Sequence, residues 1–170
     1  MISDDDRLAA DLAAEAGRRL LALRAAGGAA DELRRAGDRS SHEFLAAELA
    51  RQRPGDAVLS EEGADDLARL SADRVWIVDP LDGTREFGEP GRSDWAVHVA
   101  LWERGELTAG AVALPAQDKI LSTADPAKPP AAPPATVLAR GGTTPPYPPG
   151  TLRLLVSRTR PPEFMTRLAR

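Results

Sequence analysis

The stretch V-D-P-L-D-G-T at residues 78–84 sets two carboxylates around a proline, then a glycine and a threonine. A turn accounts for Pro80, Asp82 and Gly83 but does not need Asp79. Asp79 and Asp82, on either side of a proline-stiffened turn, can converge on one point, and the Leu81 carbonyl between them can point the same way. Hard divalent cations take such sets of carboxylate and carbonyl oxygens. Gly83 lets the backbone approach a ligand closely. A helix starting near Thr84 would offer free N–H groups to a phosphate. The Thr84 hydroxyl could orient a water if a carboxylate held it in turn.

Two further acidic positions lie upstream, Asp38 and the pair Glu61 with Glu62. Each has an ordinary alternative. Asp38 stands where a helix N-cap belongs, Glu61 and Glu62 can be solvated loop charges, and residues 80–83 can be a plain turn. Taken together they describe a metal-dependent phosphate ester hydrolase, in which cations about 3.5–4 Å apart generate a nucleophilic water and stabilise the leaving oxygen. A covalent aspartyl-phosphate mechanism is excluded by spacing. Phosphatases of that kind carry D-x-D-G-T, and the residue three before Gly83 is Pro80, so the nucleophile is missing.

Composition narrows the chemistry further. The net charge of −4 argues against nucleic acid as a partner. The chain has no cysteine and two histidines, His42 and His98, so thiolate chemistry, Cys-based zinc sites and multi-His metal sites are all disfavoured. A metal would be held by carboxylates, which selects Mg²⁺, Mn²⁺ or Ca²⁺. The opening M-I-S-D-D-D is acidic and no long apolar run follows, so neither a signal peptide nor a membrane span is expected and the cytoplasm is the default location. The oligomeric state is not readable from the sequence.

The elements that must position these acids come next. Residues 3–25 read as a helix, with Ser3 and Asp6 as a capping box, Leu8, Leu12, Ala16, Leu20 and Leu23 at helical spacing, and Gly27 and Gly28 as its end. A second helix is expected after Gly37 and Asp38, closed by Pro54 and Gly55. A strand at 57–59 leads into Ser60, Glu61 and Glu62; a short helix is expected within 64–71. A strand at 75–78 ends at the acidic motif. Residues 95–102, 107–114 and 119–123 read as an antiparallel meander. The class is α+β, two helices on a mostly antiparallel sheet. Residues 1–123 form the expected metal-binding domain. Residues 124–150 hold nine of the fifteen prolines and read as a linker or loop. Residues 151–170 read as a strand and the start of a helix, the opening of a second unit. Trp76, Trp95 and Trp102 are read as core, His98 as a packed or half-exposed side chain, and Arg85 as an exposed arginine rather than a phosphate contact.

The string W-I-V-D-P-L-D-G-T-R-E-F at 76–87, with Ser60, Glu61 and Glu62 before it and Gly37 with Asp38 further upstream, resembles the inositol monophosphatase superfamily of Mg²⁺-dependent, Li⁺-sensitive phosphatases. The ending D-G-T-R-E-F and the phrases A-V-L-S-E-E, P-G-R-S-D-W-A-V-H and A-V-A-L-P look like its 3′(2′),5′-bisphosphate nucleotidase (CysQ) branch in actinobacterial form. The resemblance implies two or three Mg²⁺ ions held by Glu61, Asp79, Asp82 and the Leu81 carbonyl. It implies that Asp38 hydrogen-bonds Thr84 and that this pair orients and helps deprotonate the attacking water. Asp82 and the Gly83 and Thr84 amides would contact substrate. The substrate would be 3′-phosphoadenosine 5′-phosphate, cleaved to AMP and phosphate, or its sulfated relative; inositol phosphate and fructose 1,6-bisphosphate are the rivals. The family fold is a layered α-β-α-β-α sandwich, of which this chain would supply the first part. A further metal-binding Asp in a W-D-x-A-A-P-like segment is not found, so a cation-binding fragment without turnover is the remaining alternative.

Overall fold

The computed structural model describes residues 2–64 and 66–125. The Pro-rich segment expected at 124–150, apart from residues 124 and 125, and the elements expected in 151–170 lie outside the described residues. Helix α1 spans Asp4–Ala26 and starts as expected: Ser3 Oγ accepts from the Asp6 amide at 3.0 Å, and Asp6 Oδ2 accepts from the Ser3 amide at 2.8 Å. Leu8, Leu12, Ala16 and Leu20 are buried along one face. The small residues between them allow close packing. A Cβ on Gly17 would stand 2.6 Å from the Pro115 ring.

Helix α2 spans Ala30–Gln52, and here the expected start is wrong. Gly37 and Asp38 lie in the helix interior rather than before its first turn, so Asp38 is no N-cap. The buried positions are Leu33, Gly37, Ser41, Leu45 and Leu49, one every fourth residue. A glycine and a serine in that stripe hide its first half from an apolar count. Gly37 is there for space, because a Cβ would meet Phe87 at 2.8 Å and Leu81 at 2.9 Å.

A five-stranded sheet follows, in the order β1 (Ala57–Ser60), β2 (Arg74–Asp82), β3 (Ala96–Glu103), β4 (Glu106–Leu114), β5 (Lys119–Ser122). β1 pairs parallel with β2 and the other pairs are antiparallel. Between β1 and β2 the expected short helix is a 3-10 turn, Leu67–Ser71. Both long helices pack on one face of the sheet. That face buries Trp76 and Val78 of β2, Val97, Val99 and Leu101 of β3, and Ala109, Ala111 and Ala113 of β4. Alternate residues, among them Ile77, His98 and Ala100, face the other way.

Strand β2 does not stop at Val78, as the sequence reading has it, but runs through the acidic motif to Asp82. Its register against β3 slips there, from Asp79 opposite His98 to Asp82 opposite Ala96. β2 thus spends one residue more than β3 over that interval, a bulge. Pro80 and Leu81 are both buried, two consecutive inward side chains where a regular strand alternates. At the other end of β2, Arg74 is gripped by Asp5, Asp56 and Glu103 at 2.9–3.2 Å, and Trp76 Nε1 donates to Asp56 Oδ2 at 2.8 Å.

Candidate active site

The bulge explains the D-x-x-D spacing. In a regular strand, residues three apart point to opposite faces. One extra residue restores them to the same face, so Asp79 and Asp82 both lie beside His98. His98 Nε2 is 3.1 Å from Asp82 Oδ2, and Asp79 is its cross-strand partner. The turn itself is braced twice. The Asp79 carboxylate Oδ1 accepts from the Leu81 amide at 3.1 Å. From below, the buried Ser41 hydroxyl donates to the Pro80 carbonyl at 2.7 Å.

Gly83 leaves the strand in the left-handed conformation, φ +80°, and a Cβ there would stand 3.0 Å from the Asp94 carbonyl. Both constraints demand glycine. A single helical turn, α3 (Thr84–Phe87), follows, close to where a helix start is expected. Phe87 stacks edge-to-face on Trp95 with ring centres 5.0 Å apart. The Arg24 guanidinium lies 5.9 Å from the Phe87 ring centre and 5.7 Å from that of Trp95, and donates to the Arg92 carbonyl at 2.7 Å. The end of α1 thereby clamps the loop after the motif, a contact no sequence pattern announces.

Thr84 Oγ1 stands 3.1 Å from Asp38 Oδ1 and 3.0 Å from the Leu81 carbonyl. Two residues 46 apart in sequence meet because α2 crosses the motif at Gly37. Burial, partly offset by the Thr84 hydrogen bond and reinforced by the charges of Glu62 and Glu61, holds the Asp38 carboxyl above the usual carboxylate range. Glu61 follows β1 directly, and its amide donates to the Val78 carbonyl at 3.3 Å. That bond carries the parallel ladder one residue further and sets Glu61 beside Asp79. Glu61, Asp79 and His98 line one cleft with Ile77 and Ala100. Burial, then the negative charges of Glu61 and Asp82, push Asp79 up to about 6. Asp82 goes the other way: the His98 hydrogen bond outweighs burial and lowers it.

Among the described residues no three acidic, His or Cys side chains are already gathered around one point. Asp82 is turned to His98 and Asp79 to its own turn. The donor set nevertheless fits a hard divalent cation. It is all oxygen, and the upward push on Asp79 by two neighbouring carboxylates is a like-charge crowding that a cation relieves. Glu61, Asp79, Asp82 and the Leu81 carbonyl are the groups that would hold it.

A sequence model of the inositol monophosphatase family matches residues 6–128. The chain belongs to that family. Among its relatives within the family, a protein of Mycobacterium bovis named 3′-phosphoadenosine 5′-phosphate phosphatase is 52% identical over 161 residues, covering 91% of this chain and 56% of that protein. The protein of the same name from Mycobacterium leprae is 47% identical over 179 residues, covering 96% of this chain and 60% of its own. The chain therefore spans somewhat more than half the length of these two relatives. CysQ from Bacteroides thetaiotaomicron, a solved member of the family, superposes with a TM-score of 0.55 at 35% identity, over 63% of this chain and 41% of that one. The fold is the α+β arrangement expected from the sequence. Among the described residues no helix is long and apolar enough to cross a membrane.

Proposed function

We propose that this chain carries the cation-binding and water-activating part of a phosphoric monoester hydrolase that removes the 3′-phosphate of 3′-phosphoadenosine 5′-phosphate. The observation that carries the reading is the Thr84–Asp38 hydrogen bond, 3.1 Å, formed beside the Asp79–Asp82 bulge. Relatives at 47–52% identity bearing the name of that phosphatase support the choice of substrate.

A divalent cation bound by Glu61, Asp79, Asp82 and the Leu81 carbonyl supplies positive charge to the phosphate oxygens and acidity to water; Mg²⁺ suits the oxygen donors. The rest is the work of the chain. Thr84 donates its proton to Asp38, which leaves the threonine oxygen free to accept one from the attacking water. Asp38, held above the usual carboxylate range, is tuned toward taking that proton. Water attacks phosphorus in line, the P–O bond to the ribose 3′-oxygen breaks, and the alcohol leaves with a proton from solvent. Backbone N–H groups at Gly83 and Thr84 receive the phosphate. No covalent phosphoenzyme is involved.

The test is phosphate release by this chain from 3′-phosphoadenosine 5′-phosphate, inositol 1-phosphate and fructose 1,6-bisphosphate, with Mg²⁺, with added Li⁺, and with Asp79→Asn as control. The expected result is Mg²⁺-dependent, Li⁺-inhibited release that is fastest from the nucleotide and lost in the variant. A clear preference for inositol phosphate would refute the substrate. Cation binding without turnover on any of the three would refute the catalytic role.

A further inference from the structure

The geometry points to His98 as the positioning residue of the cation site, the side chain that holds Asp82 in place for a bound divalent ion. This rests on the reading of Asp82 as a ligand. His98 sits in the middle of β3, with Asp79 opposite it on β2 and Val112 opposite it on β4. Along the outer face of the sheet its neighbours Ile77 and Ala100 are apolar. The β2 bulge gives the His98 ring a protein partner. Asp82 swings back onto this face, and its Oδ2 lies 3.1 Å from His98 Nε2. That nitrogen donates in the imidazolium and in the neutral Nε2–H tautomer alike, so Asp82 is held as the acceptor in either form.

Stability does not explain the pair. The His98 side chain is 40% exposed and that of Asp82 60% exposed. Contacts between such exposed groups contribute little to folding. Orientation does explain it. Asp82 is the last residue of β2 and precedes a left-handed glycine, so no regular strand holds its side chain. One carboxylate oxygen tied to the rigid centre of β3 restricts the whole group and keeps Oδ1 outside that bond. Carboxylate ligands of metals are commonly fixed by such an outer hydrogen bond, and its loss weakens metal binding by roughly 10–100-fold. The same ring lines the cleft with Glu61 and Asp79.

The experiment is calorimetric titration of the chain with Mg²⁺, repeated with Mn²⁺ followed by its electron spin resonance signal. Four proteins are compared: the unaltered chain, His98→Leu, His98→Gln and Asp79→Asn. Circular dichroism checks that each is folded. His98→Leu is expected to bind about tenfold or more weakly. His98→Gln, whose amide nitrogen reaches the same place as Nε2, is expected to recover most of the affinity. Affinity unchanged in His98→Leu but lost in Asp79→Asn overturns the role of His98 and leaves the cation site standing. No saturable uptake by the unaltered chain overturns the cation site and this inference with it.

Discussion

Thr84 has one proton and two acceptors, Asp38 Oδ1 at 3.1 Å and the Leu81 carbonyl at 3.0 Å. A hydroxyl that can turn between them links the acid proposed to activate water to the carbonyl proposed to face the cation. Thr84→Val keeps the shape and removes the proton path. Phosphate release from the nucleotide is expected to fall by about 100-fold or more, with the melting temperature nearly unchanged, and Thr84→Ser is expected to retain most activity. Asp79 permits a second test at this scale. Its folded-state pKa of about 6 lies above the unfolded value, so its contribution to stability is present below about pH 4 and lost as pH rises through 6. Asp79→Asn is therefore expected to melt higher than the unaltered chain at pH 8 without divalent cations. At pH 4 the difference should shrink. Added Mg²⁺ should raise the melting temperature of the unaltered chain and not that of the variant. Thermal melts at the two pH values check all three.

At the scale of elements, the site is made by two departures from regularity that meet. One is the bulge in β2, which aims Asp79 and Asp82 to one face. The other is Gly37 in the middle of α2, which lets the helix close onto Phe87 and Leu81 and brings Asp38 to Thr84. In an exposed helix, Gly→Ala stabilises by roughly 0.5–1 kcal/mol. Here the sign reverses. A Cβ at 2.8 Å from Phe87 and 2.9 Å from Leu81 has to push the motif away. Gly37→Ala is expected to destabilise by about 1–3 kcal/mol in urea unfolding and to lower activity beyond that loss. A stabilised or equally active variant would mean that the helix does not set the Asp38–Thr84 contact.

On the scale of the molecule, β2 separates structure from chemistry. Its start is held by Arg74 among Asp5, Asp56 and Glu103, with Arg53 also on Asp5 at 2.8 Å. Its end, roughly 26 Å away by strand rise, carries the acids. Arg74→Met is expected to cost about 2 kcal/mol of stability, because partly buried acids lose their partner, while Mg²⁺ affinity stays within about twofold. Burial raises the Asp5 carboxyl, but the Arg74 and Arg53 hydrogen bonds win and hold it below its usual range. Its contribution is therefore present above about pH 4 and lost as pH falls through the lowered value. In Arg74→Met that acid-side loss should flatten, which unfolding measured between pH 3 and 5 checks.

The sequence by itself determined the family, the fold class and most elements. Local signals sufficed for these: the Ser3–Asp6 capping box, the alternation of β3 and β4, and the company of Asp79, Asp82, Gly83 and Thr84 in six residues. Composition excluded thiolate chemistry on the same footing, since a residue type that is missing cannot act. What only the tertiary structure decided was non-local. The first half of α2 was misread because its buried stripe passes through Gly37 and Ser41, whose fit depends on Phe87, Leu81 and the Pro80 carbonyl. The bulge could not be seen because register belongs to a pair of strands and not to one. His98 and Arg24 carried no signal for the same reason. Each acts on groups far along the chain, and a contact between distant segments exists only once the sheet and both helices have closed on one core.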